Sequence, residues 1–141
     1  MTSLSFPDVN VWLALLLADH THRGAAAAWW NSAASQTIAF SRFTQMGVLR
    51  ILTTAAAMNG KPLAMDAAWQ AYDRLFEDDR VALLPEPEDL EAKFRALSRS
   101  PQASPKVWAD AYLVAFAEQY EATLITFDKA LSNRAHGMIL F

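Results

Sequence analysis

The sequence predicts an α/β fold, a three-layer α/β/α sandwich around a mainly parallel sheet of four or five strands. Short apolar segments that suit strands alternate with longer segments of helical periodicity, and Gly, Pro and Asn separate them. The chain has 141 residues, of which 53% are hydrophobic, so it can enclose one sizeable core. No internal repeat or linker is visible. We therefore expect residues 1–141 to form a single domain with right-handed crossovers between strands.

The first four predicted elements are a strand, two helices and a second strand. Residues 3–6 form a short apolar run that stops at Pro7, as a strand would. Residues 10–18 are strongly apolar and indicate a buried helix. Residues 24–34 are rich in alanine, which favours a second helix, and the apolar run at 37–40 predicts the second strand.

Capping and breaking residues bound the next elements. Ser41 is a suitable N-cap for a third helix over residues 42–54. The Asn-Gly-Lys-Pro sequence at 59–62 interrupts the helical pattern. Residues 65–76 carry one apolar stripe with acidic residues off it, which predicts an amphipathic surface helix, and residues 81–84 predict a third strand.

The last third of the chain repeats the alternation. An apolar stripe over residues 90–97, preceded by prolines, predicts another helix, and the polar, proline-containing stretch 98–105 predicts a loop. Residues 106–120 are nearly apolar on all sides and indicate a buried helix. A fourth strand is expected at 122–126 and a fifth, at the edge of the sheet, at 138–140.

The composition excludes several classes of protein. Without cysteine the chain has no disulfide, thiolate zinc site or thiol nucleophile. The uncharged stretch at 9–18 is too short to span a membrane, so we expect a soluble protein that is not exported. A net charge of −3 argues against coating of nucleic acid through overall charge. Residues 20–65 nevertheless contain no acid and four basic residues, which fits either a helix-packing segment or a surface that faces a polyanion.

Three aspartates are placed where a parallel sheet binds its ligands. Asp8 follows the first strand, Asp128 follows the fourth, and Asp110 lies early in the buried helix. Ligands bind beyond the carboxyl ends of such strands, so the three carboxylates can converge. Clustered carboxylates repel one another and require a cation, and oxygen ligands without cysteine favour Mg²⁺ or Mn²⁺.

Other interpretations of these acids stay open. Asp8 and Asp128 could each cap a following helix, and Asp110 could be an acid favoured by the helix dipole. A receiver domain or a haloacid-dehalogenase-like phosphatase also uses acids on an α/β domain. The phosphatase requires a second Asp two residues after the first, and Asn10 stands there.

Several segments together are similar to a known family. The sequences FPDVNVWLA at 6–14, WADAYL at 108–113 and LITFD at 124–128 resemble the PIN-domain ribonucleases, specifically VapC-type toxins of prokaryotic toxin–antitoxin pairs. The resemblance spans essentially the whole chain, and HTH at 20–22 and RFTQMGVLR at 42–50 resemble one branch of the family. It implies a cytoplasmic, homodimeric endoribonuclease that uses Mg²⁺ or Mn²⁺ to hydrolyse RNA and is bound by a VapB-like antitoxin.

The resemblance also assigns the site residues. Asp8, Asp110 and Asp128 match the family's acidic, catalytic positions. We expect Asp8 and Asp110 to bind the metal directly and Asp128 to bind directly or through water. Asn10 and Thr126 are candidates for positioning the attacking water or the phosphate.

The family commonly has a further Glu on the third helix, and the matching residue here is Gln45. Its amide oxygen can contribute to the metal's surroundings, directly or through water, but brings no charge. The alternative hypothesis is therefore a catalytically weak or inactive PIN-fold module that binds RNA or a partner.

Four basic or aromatic residues are candidates for RNA binding. Arg42 and Arg50 lie within about 80° of one face of the third helix and flank Gln45, although they are also ordinary surface charges. His20 and His22 precede the second helix beside Arg23. A metal-binding, a capping and an RNA-facing role are each compatible with their spacing.

Overall fold

Five short parallel strands build one sheet in the computed structural model, which describes residues 3–34, 37–134 and 137–139. The strands, numbered in chain order, are β1 (Leu4–Pro7), β2 (Thr37–Phe40), β3 (Val81–Leu83), β4 (Thr123–Thr126) and β5 (Gly137–Ile139). Their spatial order is β3-β2-β1-β4-β5. The strand order therefore changes direction at β1, and the carboxyl ends of β1 and β4 lie side by side.

Seven α-helices connect and flank the strands in the described part of the chain. They are α1 (Val9–Leu16), α2 (Arg23–Ser32), α3 (Arg42–Leu52), α4 (Met65–Leu75), α5 (Leu90–Ser98), α6 (Val107–Gln119) and α7 (Lys129–Arg134). Most predicted bounds hold to within two residues. The third helix ends at Leu52, two residues earlier than expected, and a short 3₁₀ turn at Ala55–Met58 that the sequence pattern did not predict follows it.

Alternating strand residues build a core on each face of the sheet. Ile38, Phe40 and Ile125 face one cluster, in which the Trp12 ring of α1 stacks on Phe40 with centroids 3.9 Å apart. Phe6 faces the other cluster and packs against α6. Two covered faces make the three layers that the sequence predicts, because both sides of a parallel strand must be apolar.

The structure confirms one predicted helix cap and one predicted break in the helical pattern. Ser41 caps α3: its Oγ accepts a hydrogen bond from the Thr44 N–H at 3.1 Å, and the Thr44 hydroxyl in turn accepts from the Ser41 N–H. Asn59 and Gly60 adopt left-handed backbone angles, with φ of 54° and 77°, which end the 3₁₀ turn.

Two further expectations concern the edge strand and the membrane. The fifth strand is present at Gly137–Ile139, and residue 140 of the predicted strand lies outside the described residues. Among the helices of the described ranges, none has the length and apolarity that crossing a bilayer requires.

Candidate active site

Asp8 is held at the junction of β1 and α1. Its Oδ1 accepts a hydrogen bond from the Val11 N–H at 3.1 Å and so caps α1, and its Oδ2 accepts from the Thr126 hydroxyl at 2.5 Å. Burial raises the pKa of Asp8, and the nearby charge of Asp128 raises it further, against the lowering effect of these hydrogen bonds. An ionised Asp8 therefore favours a cation beside it.

Asp128 is held in the same way at the end of β4. Its backbone N–H donates to the Thr126 hydroxyl at 2.9 Å, and its Oδ1 accepts from the Leu131 N–H at 3.2 Å. Thr126 is fully buried, and its single hydroxyl forms hydrogen bonds with both aspartates. Both aspartates cap the following helix, and this leaves a role in a site open, because a side chain that caps a helix after a strand also stands at the strand's carboxyl end.

Asp110 lies on α6, which packs against the opposite face of the sheet from α1. It lies in the first turn of α6, and its Oδ2 is 3.9 Å from Nη1 of Arg134, at the end of α7. Asp110 and Arg134 are both partly exposed, so this ion pair is weak and screened by solvent.

The three aspartates line one pocket of about 570 Å³. Its polar wall also includes Asn10 and Arg50, and the pocket is otherwise largely apolar, with Phe43, Met46 and Leu113 among its lining residues. The pocket lies beyond the carboxyl ends of β1 and β4, the place where a parallel sheet binds ligands.

The donor set suits a hard divalent cation. The three carboxylates supply only oxygen ligands, which Mg²⁺ and Mn²⁺ prefer. Within the described residues, however, no three His, Cys, Asp or Glu side chains are close enough to form a ready-made metal site.

Gln45 does not lie in this pocket. It is buried, at 5% exposure, and its Oε1 accepts a hydrogen bond from Arg42 Nη1 at 2.7 Å. Gly47 of the same helix faces Val9 at the start of α1, and residues two positions apart on a helix point about 200° apart. The Gln45 amide therefore points away from the aspartates.

The two arginines of α3 have different places. Arg50 lines the pocket, whereas the exposed Arg42 donates to Gln45 and is not among the residues that line it. The helical spacing of Phe43, Met46 and Gly47 with Arg50 puts these residues on one face. Sequence reasoning that started from Arg50 could have identified this wall by that spacing, and did not.

His20 and His22 do not line the pocket, but His20 contacts Asn10, which does. The Nε2 of His20 is 3.0 Å from Oδ1 of Asn10, and the His22 ring stacks on Phe127 with centroids 4.3 Å apart. Burial, and next the charge of His22, lower the pKa of His20. Two site neighbours, Phe127 and Arg134, were given no role in the sequence analysis, although Phe127 lies within the segment LITFD.

Three tryptophans of α1 and α2 pack in or against the core. Trp12 and Trp29 are buried, and Trp30 packs edge-on against both rings. By contrast, Met46, Met65 and Trp69 are exposed and line a groove of about 310 Å³ between α3 and α4. That groove shares Met46 and Arg50 with the acidic pocket.

Comparison with known proteins gives three consistent findings. The model of the PIN domain matches residues 5–137. Ribonuclease VapC41 of Mycobacterium tuberculosis is 42% identical over 131 residues, which cover 89% of this chain and 90% of that protein. Ribonuclease VapC39 of the same organism is 30% identical over 134 residues, 91% of each chain.

Solved structures share the fold at lower identity. The Mycobacterium tuberculosis toxin VapC20, described as cleaving the sarcin–ricin loop, superposes with a TM-score of 0.66 at 20% identity and covers 94% of this chain and 95% of its own. A toxin–antitoxin complex from Klebsiella pneumoniae gives a TM-score of 0.59 at 17% identity, with 91% and 89% covered.

Proposed function

The chain belongs to the PIN-domain family, and from that premise we propose that it is a metal-dependent endoribonuclease, the toxin of a toxin–antitoxin pair. One observation carries the proposal: Asp8, Asp110 and Asp128, from three separate elements, line one pocket at the carboxyl ends of β1 and β4. Extensive similarity to proteins named as ribonucleases supplies the substrate class.

The three aspartates are the catalytic and metal-binding residues of this proposal. A bound Mg²⁺ or Mn²⁺ would lower the pKa of a water and neutralise charge on the phosphate oxygens. Asp8, whose carboxylate is fixed by Val11 and Thr126, is the rigid ligand. Asp110 must exchange its weak ion pair with Arg134 for the cation, which leaves that guanidinium free for a phosphate.

The remaining pocket residues hold the substrate and the water shell. Arg50 lines the pocket and offers a positive charge to an RNA phosphate, while Asn10 offers an amide. Arg42 is exposed nearby on the same helix, and Gln45 enters the proposal only as the residue that holds Arg42. His20 and His22 border the RNA path.

A VapB-like antitoxin is the proposed protein partner. The Klebsiella pneumoniae neighbour is itself a toxin–antitoxin complex. On this chain the exposed side chains of Met46, Met65 and Trp69 form an apolar groove continuous with the pocket. A partner segment lying there would also contact Met46 and Arg50 of the acidic pocket. A homodimer in the prokaryotic cytoplasm completes the proposal.

Metal-dependent RNA cleavage by the purified protein tests the function. We expect the wild-type protein to cut a structured RNA in the presence of Mg²⁺ or Mn²⁺. Cleavage should stop when the ion is chelated. Asp8→Asn keeps a good helix cap but removes the charge, so cleavage should fall roughly a hundredfold or more. Mg²⁺ should also raise the wild-type Tm by about 2–4 °C and leave that of Asp8→Asn unchanged.

Asp66→Asn provides the matched control, because Asp66 is an exposed acid on α4 and does not line the pocket. It should cleave as the wild type does. Cleavage that persists in Asp8→Asn or in chelator would refute the assignment. Binding of RNA without any metal-dependent cleavage would favour the noncatalytic module instead.

A further inference from the structure

We propose that His20 is a positioning residue, which turns the Asn10 amide so that its NH₂ group faces the substrate phosphate. The inference rests on the proposed function, since it concerns how one residue of that pocket is oriented. It assigns to His20 a role through Asn10 in place of a contact with RNA.

Backbone geometry determines the tautomer of the His20 ring. The Nδ1 atom lies 3.0 Å from the backbone nitrogen of His22 and accepts its hydrogen bond. A peptide N–H can only donate, so Nδ1 must carry a lone pair. The proton of the neutral ring is therefore on Nε2.

The same ring then orients Asn10. Its Nε2 lies 3.0 Å from the Asn10 Oδ1, and an Nε2–H group at this distance donates to the amide oxygen. With its oxygen engaged by His20, the amide turns its Nδ2 outward as the end that can donate to a ligand.

Aromatic packing holds the turn that carries His20 against the end of β4. The His20 and Phe127 rings lie with centroids 6.4 Å apart, and His22 stacks more closely on Phe127, at 4.3 Å. Phe127 directly precedes Asp128. The turn that orients Asn10 is therefore packed against the end of β4, which also carries Asp128, one of the proposed metal-binding carboxylates.

The orientation matters because an amide is asymmetric. Its NH₂ group donates to a phosphate oxygen or to a water, whereas its carbonyl oxygen repels a phosphate. A rotation of about 180° about the last side-chain bond exchanges the two. Asn10 lines the pocket with Asp8 and Asp128, so His20 selects the end that can bind the substrate.

A double-mutant cycle on RNA cleavage tests the proposal. We expect His20→Phe, which keeps an aromatic ring but loses both ring hydrogen bonds, to lower kcat/KM about tenfold, and Asn10→Ala to lower it at least as much. The double variant should be no slower than Asn10→Ala alone. His20→Gln, which retains a donor for Asn10, should recover activity to within about threefold of the wild type.

Thr21→Ala serves as the control for loosening of the turn, because this exposed residue lies between the two histidines. It should leave kcat/KM unchanged. Effects of His20→Phe and Asn10→Ala that multiply in the double variant would overturn the inference, since they would show that His20 acts independently of Asn10. A wild type that fails to cut RNA with metal would overturn the proposed function and this inference together.

A second measurement needs no activity. The chain has 3 histidines, so the imidazole nitrogens can be assigned by NMR in the metal-free protein. We expect His20 in the Nε2–H tautomer, and Asn10→Ala should leave Nδ1 as the acceptor while altering the Nε2 resonance. An Nδ1–H tautomer, or a mixture, would contradict the proposal even if every variant folded poorly.

Discussion

Asp8 combines three tasks in one side chain. It caps α1, accepts the Thr126 hydroxyl and lines the acidic pocket. The cap and the hydroxyl fix the carboxylate, while burial raises its pKa and makes its charge costly without a cation. A bound cation would therefore stabilise the ionised form of Asp8.

Gln45 is the residue at which sequence and geometry differ most. Its amide oxygen accepts from Arg42, and its side chain points away from the aspartates. We predict that Gln45→Glu changes RNA cleavage by less than about threefold, because the new carboxylate would pair with Arg42 instead of entering the pocket. Steady-state cleavage at saturating Mg²⁺ measures this. An increase of tenfold or more would show that this position supplies a metal ligand.

Helices α3 and α1 approach each other closely beside the acidic pocket. Gly47 allows close approach: a Cβ built on it would lie 2.7 Å from Cγ2 of Val9. Val9 is the first residue of α1 and directly follows Asp8. The separation of these helices therefore determines where the Asp8 carboxylate stands relative to the wall that α3 contributes.

We predict that Gly47→Ala lowers cleavage activity although alanine favours the helix by about 1 kcal/mol. The added methyl must push Val9, and with it the start of α1. The expected loss in kcat/KM is about tenfold. Combining it with Val9→Ala, which removes the opposing methyl groups, should restore most of the activity. A single variant as active as the wild type would show that α1 yields without moving Asp8.

At the scale of the whole molecule, the charge distribution matters more than the total. The net charge is −3, yet residues 20–65 contain no acid. Arg42 and Arg50 of that segment lie on α3, and Arg50 lines the acidic pocket. A cation bound among the aspartates would leave a locally positive cleft on a mildly acidic protein, which is what a phosphate backbone requires.

The salt dependence of RNA binding measures this cleft. In the inactive Asp8→Asn background, Arg50→Gln should reduce the slope of log K against log salt by about 0.7, and the Arg42/Arg50 double variant by about twice that. Arg74→Gln removes the same charge from α4, outside the pocket, and should leave the slope unchanged. Equal effects at Arg74 and Arg50 would indicate binding through overall charge.

The sequence by itself determined the elements and the three aspartates. Alternating apolar patterns and caps such as Ser41 specify local structure, and an acid after a strand stands at the strand's carboxyl end whatever surrounds it. Only the tertiary structure decided which neighbours complete the site. Its order β3-β2-β1-β4-β5 places Asp128 beside Asp8, and the rotation of α3 turns Arg50 toward the pocket and Gln45 away. The physical reason is that helix rotation depends on how facing side chains pack, here Gly47 on Val9, and such contacts join residues far apart in the chain.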